Sequence, residues 1–117
     1  MAVHLINHKD QQIIFIDYTS CHSIDELIKC INDSVDIVKS MDNNLLVMSD
    51  VTGIRVDGQF MEELKKAGAE FEYKVKKSAV IGVTGLKKVF LSGYNLVVKN
   101  KVRAFDSKEE ALDYLVS

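Results

Sequence analysis

The feature that most constrains this chain is a change of hydrophobic period that repeats along it, with short strand-like apolar runs alternating with apolar stripes at helical spacing. Leu45-Leu-Val-Met48 is a continuous apolar run ending at Ser49-Asp50, the pattern of a strand buried on both faces in a helix-covered parallel sheet. Before it, Ile24, Leu27, Ile28, Ile31, Val35 and Val38 recur at helical spacing. Ser23-Ile-Asp-Glu26 opens that stripe as a capping box, which predicts a helix over 23–40 that breaks at Asp42-Asn43-Asn44. Phe60, Met61, Leu64, Ala67 and Phe71 make a second helical stripe, with Gly68 on its apolar side as a point of close approach to the sheet. Ser78–Val83 reads as another core strand. Leu86, Val89, Phe90, Tyr94 and Val97 give a third helix, in which Gly93 costs about 1 kcal/mol of propensity. Val102–Phe105 is a short strand, and the capping box Ser107-Lys-Glu-Glu110 opens a last helix with Ala111, Leu112 and Leu115 inward. At the N-terminus Val3–Ile6 and Gln12–Asp17 flank the polar stretch Asn7–Gln11, a hairpin pattern. The expected order is β-β-α-β-α-β-α-β-α, an α/β fold in one domain spanning 1–117.

The totals agree. A chain of 117 residues has room for one domain, and its 47% apolar and 27% charged residues are those of a globular protein. No apolar run is long enough to span a membrane, and MAVHLINHKD lacks a basic region followed by an apolar stretch, so neither membrane insertion nor a signal peptide is expected. Cys21 and Cys30 do not make a disulfide framework, which points to a reducing, cytoplasmic setting. Charge is unevenly spread: residues 1–58 carry four Lys/Arg and nine Asp/Glu, residues 59–117 eleven and eight. Lys74 to Arg103 holds eight basic residues and no acidic one, a block that either attracts anionic or acidic partners or is simply solvated at element ends.

In sheets built from strand-helix-strand crossovers, ligands sit beyond the carboxyl ends of the strands. Three loops should gather there: Asp17–His22, Ser49–Gly58 and Thr84–Lys88. The candidate ligand or partner surface is Asp50, Thr52, Gly53, Arg55 and Asp57 from the second loop, with Thr84, Gly85, Lys87 and Lys88 from the third. Gly82-Val-Thr-Gly-Leu-Lys-Lys88 offers helix N–H groups, a hydroxyl and lysines to an anion. The simpler reading, which the sequence favours, is that Thr84 caps a helix while Gly82 and Gly85 meet turn geometry. It lacks the spacing and final Lys-Ser/Thr of a nucleotide-binding P-loop. Asp17 and Asp50 end core strands, and with Thr84 and Lys101 they invite a phospho-receiver reading. Their 33-residue separation holds only one helix and one strand, and Asp17 is followed by Tyr18, so that reading fails. Cys21-His22 adjacency makes no nucleophile-base pair. His4, His8 and His22 are scattered, so neither a metal nor a cofactor is expected. No nucleic-acid module is visible beside the basic block.

The stretches Leu46-Val-Met-Ser-Asp-Val-Thr-Gly53, Lys77-Ser-Ala-Val-Ile-Gly-Val-Thr-Gly-Leu-Lys-Lys88 and Ala104-Phe-Asp-Ser-Lys-Glu-Glu-Ala-Leu-Asp-Tyr-Leu115, with the order of elements, resemble small bacterial STAS-like proteins. That group shares the anti-sigma-factor-antagonist fold and is more distantly similar to CRAL-TRIO lipid-binding domains. The resemblance covers roughly residues 12–116 and implies a mixed, mostly parallel sheet with helices mainly on one face. It also implies a regulatory or binding role without catalysis. In the antagonists an aspartate precedes a phosphorylatable serine at the start of a helix. Here Asp57 matches, but Gly58 stands where the serine is expected, and Thr52 is the nearest hydroxyl of that loop.

The first expectation is therefore a non-catalytic STAS-like module that meets a protein partner, a second copy in a homodimer among the options, or a small anionic ligand. The alternative is a carrier of a small apolar or lipid-like anionic ligand, which a cavity lined by Phe60, Leu64, Phe90 and Tyr94 would favour. An enzyme ranks third, with Asp17, Asp50 and Lys87 as its candidate groups.

Overall fold

The computed structural model describes residues 2–117. A β-hairpin of β1 (Val3–His8) and β2 (Gln11–Asp17) leads into α1 (Ile24–Ser40), β3 (Leu45–Asp50), α2 (Gly58–Phe71), β4 (Val75–Ile81), α3 (Lys87–Val97), β5 (Val102–Phe105) and α4 (Lys108–Leu115). The sheet runs β1-β2-β3-β4-β5, with β1 antiparallel to β2 and every later pair parallel. The hairpin loop is only Lys9-Asp10, both at positive φ (49° and 65°), which is the two-residue turn whose twist matches that of the strands. The strands therefore extend further into the polar stretch 7–11 than its composition suggests.

Period-two alternation divides the sheet between two cores. Ile13, Leu46, Met48, Ala79 and Ile81 face one side, where Ala111 and Leu115 of α4 cover them. Ile14, Ile16 and Val47 face the other side and pack with α1 and α2. Three helices thus lie on one face and a single short helix on the other. Strand β3 is covered on both sides, as its continuous apolar run requires.

Both serines cap their helices, while the glutamates reach back to the serine hydroxyls rather than to the N-cap amides. Ser23 Oγ accepts from Glu26 N at 3.1 Å, and the Glu26 carboxylate accepts from His22 N at 3.0 Å. Ser107 Oγ accepts from Glu110 N at 3.2 Å. At the other helix ends, the basic block has an architectural role. Lys74 Nζ donates to the carbonyls of Lys39 and Met41 at the end of α1. Lys77 Nζ donates to those of Tyr114 and Ser117 at the end of α4, and Lys101 Nζ to that of Asn95 near the end of α3. Each ammonium meets carbonyls where a helix stops, at the negative end of its dipole. Arg103 lies over the rings of Phe105 and Tyr114.

Two expectations about packing are corrected. Gly68 does not serve a close approach of α2 to the sheet; a Cβ there would meet the Tyr94 hydroxyl of α3, so the glycine makes room for a tyrosine. The α3 stripe is not inward as a whole. Tyr94 is the buried residue of this helix, while Leu86, Val89 and Val97 are 68%, 65% and 62% exposed. Apolar residues surround much of α3, so periodicity could not say which of its faces turns inward.

Edge strand β5 is held through a side chain. Asn95 of α3 donates to Val102 O at 3.0 Å and accepts from Val102 N at 2.9 Å, imitating a neighbouring strand. Asn95→Ala removes both bonds and is expected to cost about 1–2 kcal/mol, read as a lower urea midpoint with faster amide exchange at Val102. Unchanged exchange there would contradict this role.

Candidate functional site

The carboxyl ends of β2, β3 and β4 lie side by side, with Asp17 opposite Asp50 and Asp50 opposite Ile81. The chain leaves β2 and β3 through aspartate-centred turns. Asp17 Oδ1 accepts from Thr19 N at 2.9 Å, and Asp50 Oδ1 from Thr52 N at 3.0 Å. Both carboxylates therefore shape their own loops. Asp57 does similar work as the N-cap of α2, accepting from Phe60 N at 2.9 Å. Gly58 begins that helix at ordinary φ, and a Cβ there would meet open space. A serine would fit sterically, so its absence is a matter of sequence rather than of room.

The second and third candidate loops touch. Gly82 has φ +88°, and a Cβ would overlap the backbone and hydroxyl of Thr52. Lys87 Nζ donates to Val51 O at 2.7 Å, tying the first turn of α3 to the end of β3. Thr84 does not cap α3: the helix begins after Leu86 without a side-chain cap, and the Thr84 carbonyl accepts from Lys87 N at 3.1 Å. Gly53 and Gly85 occupy positive-φ turn positions, at +74° and +56°. Thr52, Gly53, Arg55, Asp57, Thr84, Gly85 and Lys88 are exposed, whereas Asp50 and Lys87 are half-buried. The nine candidate residues thus lie on two adjoining loops, but the ammonium of Lys87 is engaged with backbone.

Beneath these loops is a cavity of about 110 Å³ between the sheet and helices α2 and α3. Phe60 and Leu64 of α2, and Phe90 and Tyr94 of α3, line it together with Val51, Val56, Val83 and Lys87 from the loops. Tyr18 stands in its wall with its ring edge-on to Phe60, centroids 5.7 Å apart. Burial pushes the Tyr18 phenol pKa well above its ordinary value, and burial pushes that of Tyr94 up to about 12. Both stay protonated across the neutral range. The floor comes from Ile16, Val47, Ser49, Ser78, Val80 and Val102. Ser49 and Ser78 are polar residues at inward positions of apolar strands, a signal visible in the sequence because each is two residues from a valine on the same face (Val47 and Val80).

The two cysteines lie near the cavity wall without reactive character. Burial raises the pKa of both thiols, that of Cys30 to about 12, which keeps them protonated at neutral pH. Among the described residues, no three His, Cys, Asp or Glu side chains come together to hold a metal ion, and no helix is long and apolar enough to cross a membrane.

Gly82→Ala is expected to destabilise the protein by at least about 2 kcal/mol, because it combines positive φ with overlap of Thr52. Gly85→Ala, at positive φ but in open space, should cost less. Urea unfolding of the pair checks this, and equal costs would mean that the contact between the loops carries no weight.

No family model and no curated protein matches the sequence. Among solved structures, the chain is similar to an uncharacterized protein from the DUF3478 family, with a SpoIIAA-like fold, from Shewanella loihica PV-4. The two share 16% identity with a TM-score of 0.74 over 97% of this chain and 92% of the other. At that identity the likeness speaks for architecture alone. The hairpin, the mixed five-stranded sheet and the four helices are those of a SpoIIAA-like, and hence STAS-like, fold.

Proposed function

We propose that this chain is a STAS-like binding module that encloses a small, mainly apolar ligand between its sheet and helix α3. The observation that carries the reading is the cavity lined by Phe60, Leu64, Phe90 and Tyr94. Its volume of about 110 Å³ is somewhat below the roughly 150 Å³ of an engineered apolar cavity that takes up benzene. A compact body of about six non-hydrogen atoms therefore suits it, and a long acyl chain does not. Helix α3 is suited to act as the cover. It is pinned at its ends by Lys87 to Val51 O and by Asn95 to Val102, with Tyr94 as its buried residue between them. Such an element opens at lower free energy than the core around it.

A second reading, docking of a protein partner, is favoured by a different observation. Leu86, Val89 and Leu96 form an exposed apolar stripe on the outer side of the same helix, with Lys88 exposed beside it. The two readings predict different responses to one probe.

Titration with benzene, followed by amide and methyl NMR, is expected to shift Val47, Leu64, Val80 and Phe90 together in a saturable way. Leu64→Trp, which fills the cavity from α2, should abolish those shifts without lowering the melting temperature. Shifts confined to Leu86, Val89 and Leu96 would contradict ligand enclosure and favour the partner surface.

A further inference from the structure

The floor of the cavity is more polar than the middle of a covered sheet requires. Ser49 and Ser78 lie on β3 and β4, each of which has a neighbouring strand on both sides. Ser49 is opposite Val80 and Ser78 opposite Val47, so the two serines are diagonal neighbours on one face. Both are only half-buried, although helices cover that face. Tyr18, 3% exposed, lines the same space.

Among the described residues, none of these three hydroxyls has a hydrogen-bond partner, whereas Ser34 in the same lining donates to Ile31 O at 2.7 Å. No described side-chain nitrogen or oxygen is both sealed from solvent-sized space and unpaired. The hydroxyls of Tyr18, Ser49 and Ser78 therefore open onto the cavity. Three neutral hydroxyls at the end of an apolar chamber form a donor set awaiting an acceptor.

The charge balance narrows that acceptor. The cationic side chain in the lining is Lys87, whose ammonium already donates to Val51 O at 2.7 Å. A carboxylate there would have only Lys87, half-buried and already donating to Val51 O, to offset the loss of its hydration, which is costly. A carbonyl oxygen carries no such penalty and accepts two donors. Resting on the enclosure reading above, we propose that the cavity selects a compact apolar molecule bearing one uncharged carbonyl oxygen, which takes its two hydrogen bonds from among the hydroxyls of Tyr18, Ser49 and Ser78. The rest of the molecule fills the space under Phe60 and Phe90.

Cyclopentanone and methylenecyclopentane have nearly the same shape and differ in the acceptor, so their dissociation constants, measured by NMR titration, test the proposal. Both should bind the wild-type protein. At least two of Tyr18→Phe, Ser49→Ala and Ser78→Ala should weaken cyclopentanone about fivefold, and all three should leave methylenecyclopentane within about twofold. The three variants remove only a hydroxyl, and two of them change exposed-to-cavity serines, so at least one folded variant reports. Equal effects on the two probes, or none on either, would overturn the carbonyl assignment while leaving the cavity as a binding site. Failure of both probes to shift cavity residues of the wild type would overturn the enclosure reading, and the carbonyl assignment with it.

Discussion

The two faces of strand β3 are filled to different degrees, and the rest of the molecule follows from that difference. On one face Leu46 and Met48 meet Ala111 and Leu115 of α4, and every one of these side chains is buried. On the other, Val47 is buried but Ser49 is not, and three helices arch over it. Sealing the first face with a single short helix leaves the second to carry most of the crossover connections. Those long connections begin in loops that rest on one another through Gly82 and Thr52. Below them the packing is incomplete, and incomplete packing is costly unless something else occupies the space. A ligand in that space, as proposed above, would offset the cost.

The lysines matter to this picture in an unexpected way. Four of the eight basic residues from Lys74 to Arg103 donate to backbone carbonyls, three of them at helix ends. They tie helix ends and loops to the frame and leave a smaller basic surface than the sequence suggests, chiefly Lys76, Lys88, Lys99 and Arg103. The candidate loops are similar in character. Asp17, Asp50 and Asp57 spend their carboxylates on nearby backbone amides, which stiffens the rim above the cavity.

Much of the fold was legible in the chain because period and capping agree. Ser23 with Glu26, and Ser107 with Glu110, marked two helix starts, and the run Leu45–Met48 marked the strand covered on both faces. The STAS-like likeness rested on the same elements. Helix α3 was harder to read, because Leu86, Val89, Phe90, Leu96 and Val97 make it apolar on more than one side and only tertiary contact selects Tyr94 as the buried residue. The four aromatic and aliphatic side chains of the cavity wall were recognisable as a group, since they share helix faces. The hydroxyl floor was less so. Tyr18 reads as a loop residue and Ser49 as a strand end until pairing of β2, β3 and β4 places them around one space.

The central claim is that the covered face of the sheet keeps a cavity able to admit an apolar guest. A crystal exposed to pressurised xenon tests this without reference to any natural ligand, because xenon enters dry or sparsely hydrated apolar cavities. The account predicts an ordered xenon atom between Phe60, Leu64 and the floor at Val47 and Val80, with little displacement of the strands. Xenon found only against Leu86, Val89 and Leu96, or no site with the cavity collapsed under α3, would contradict it.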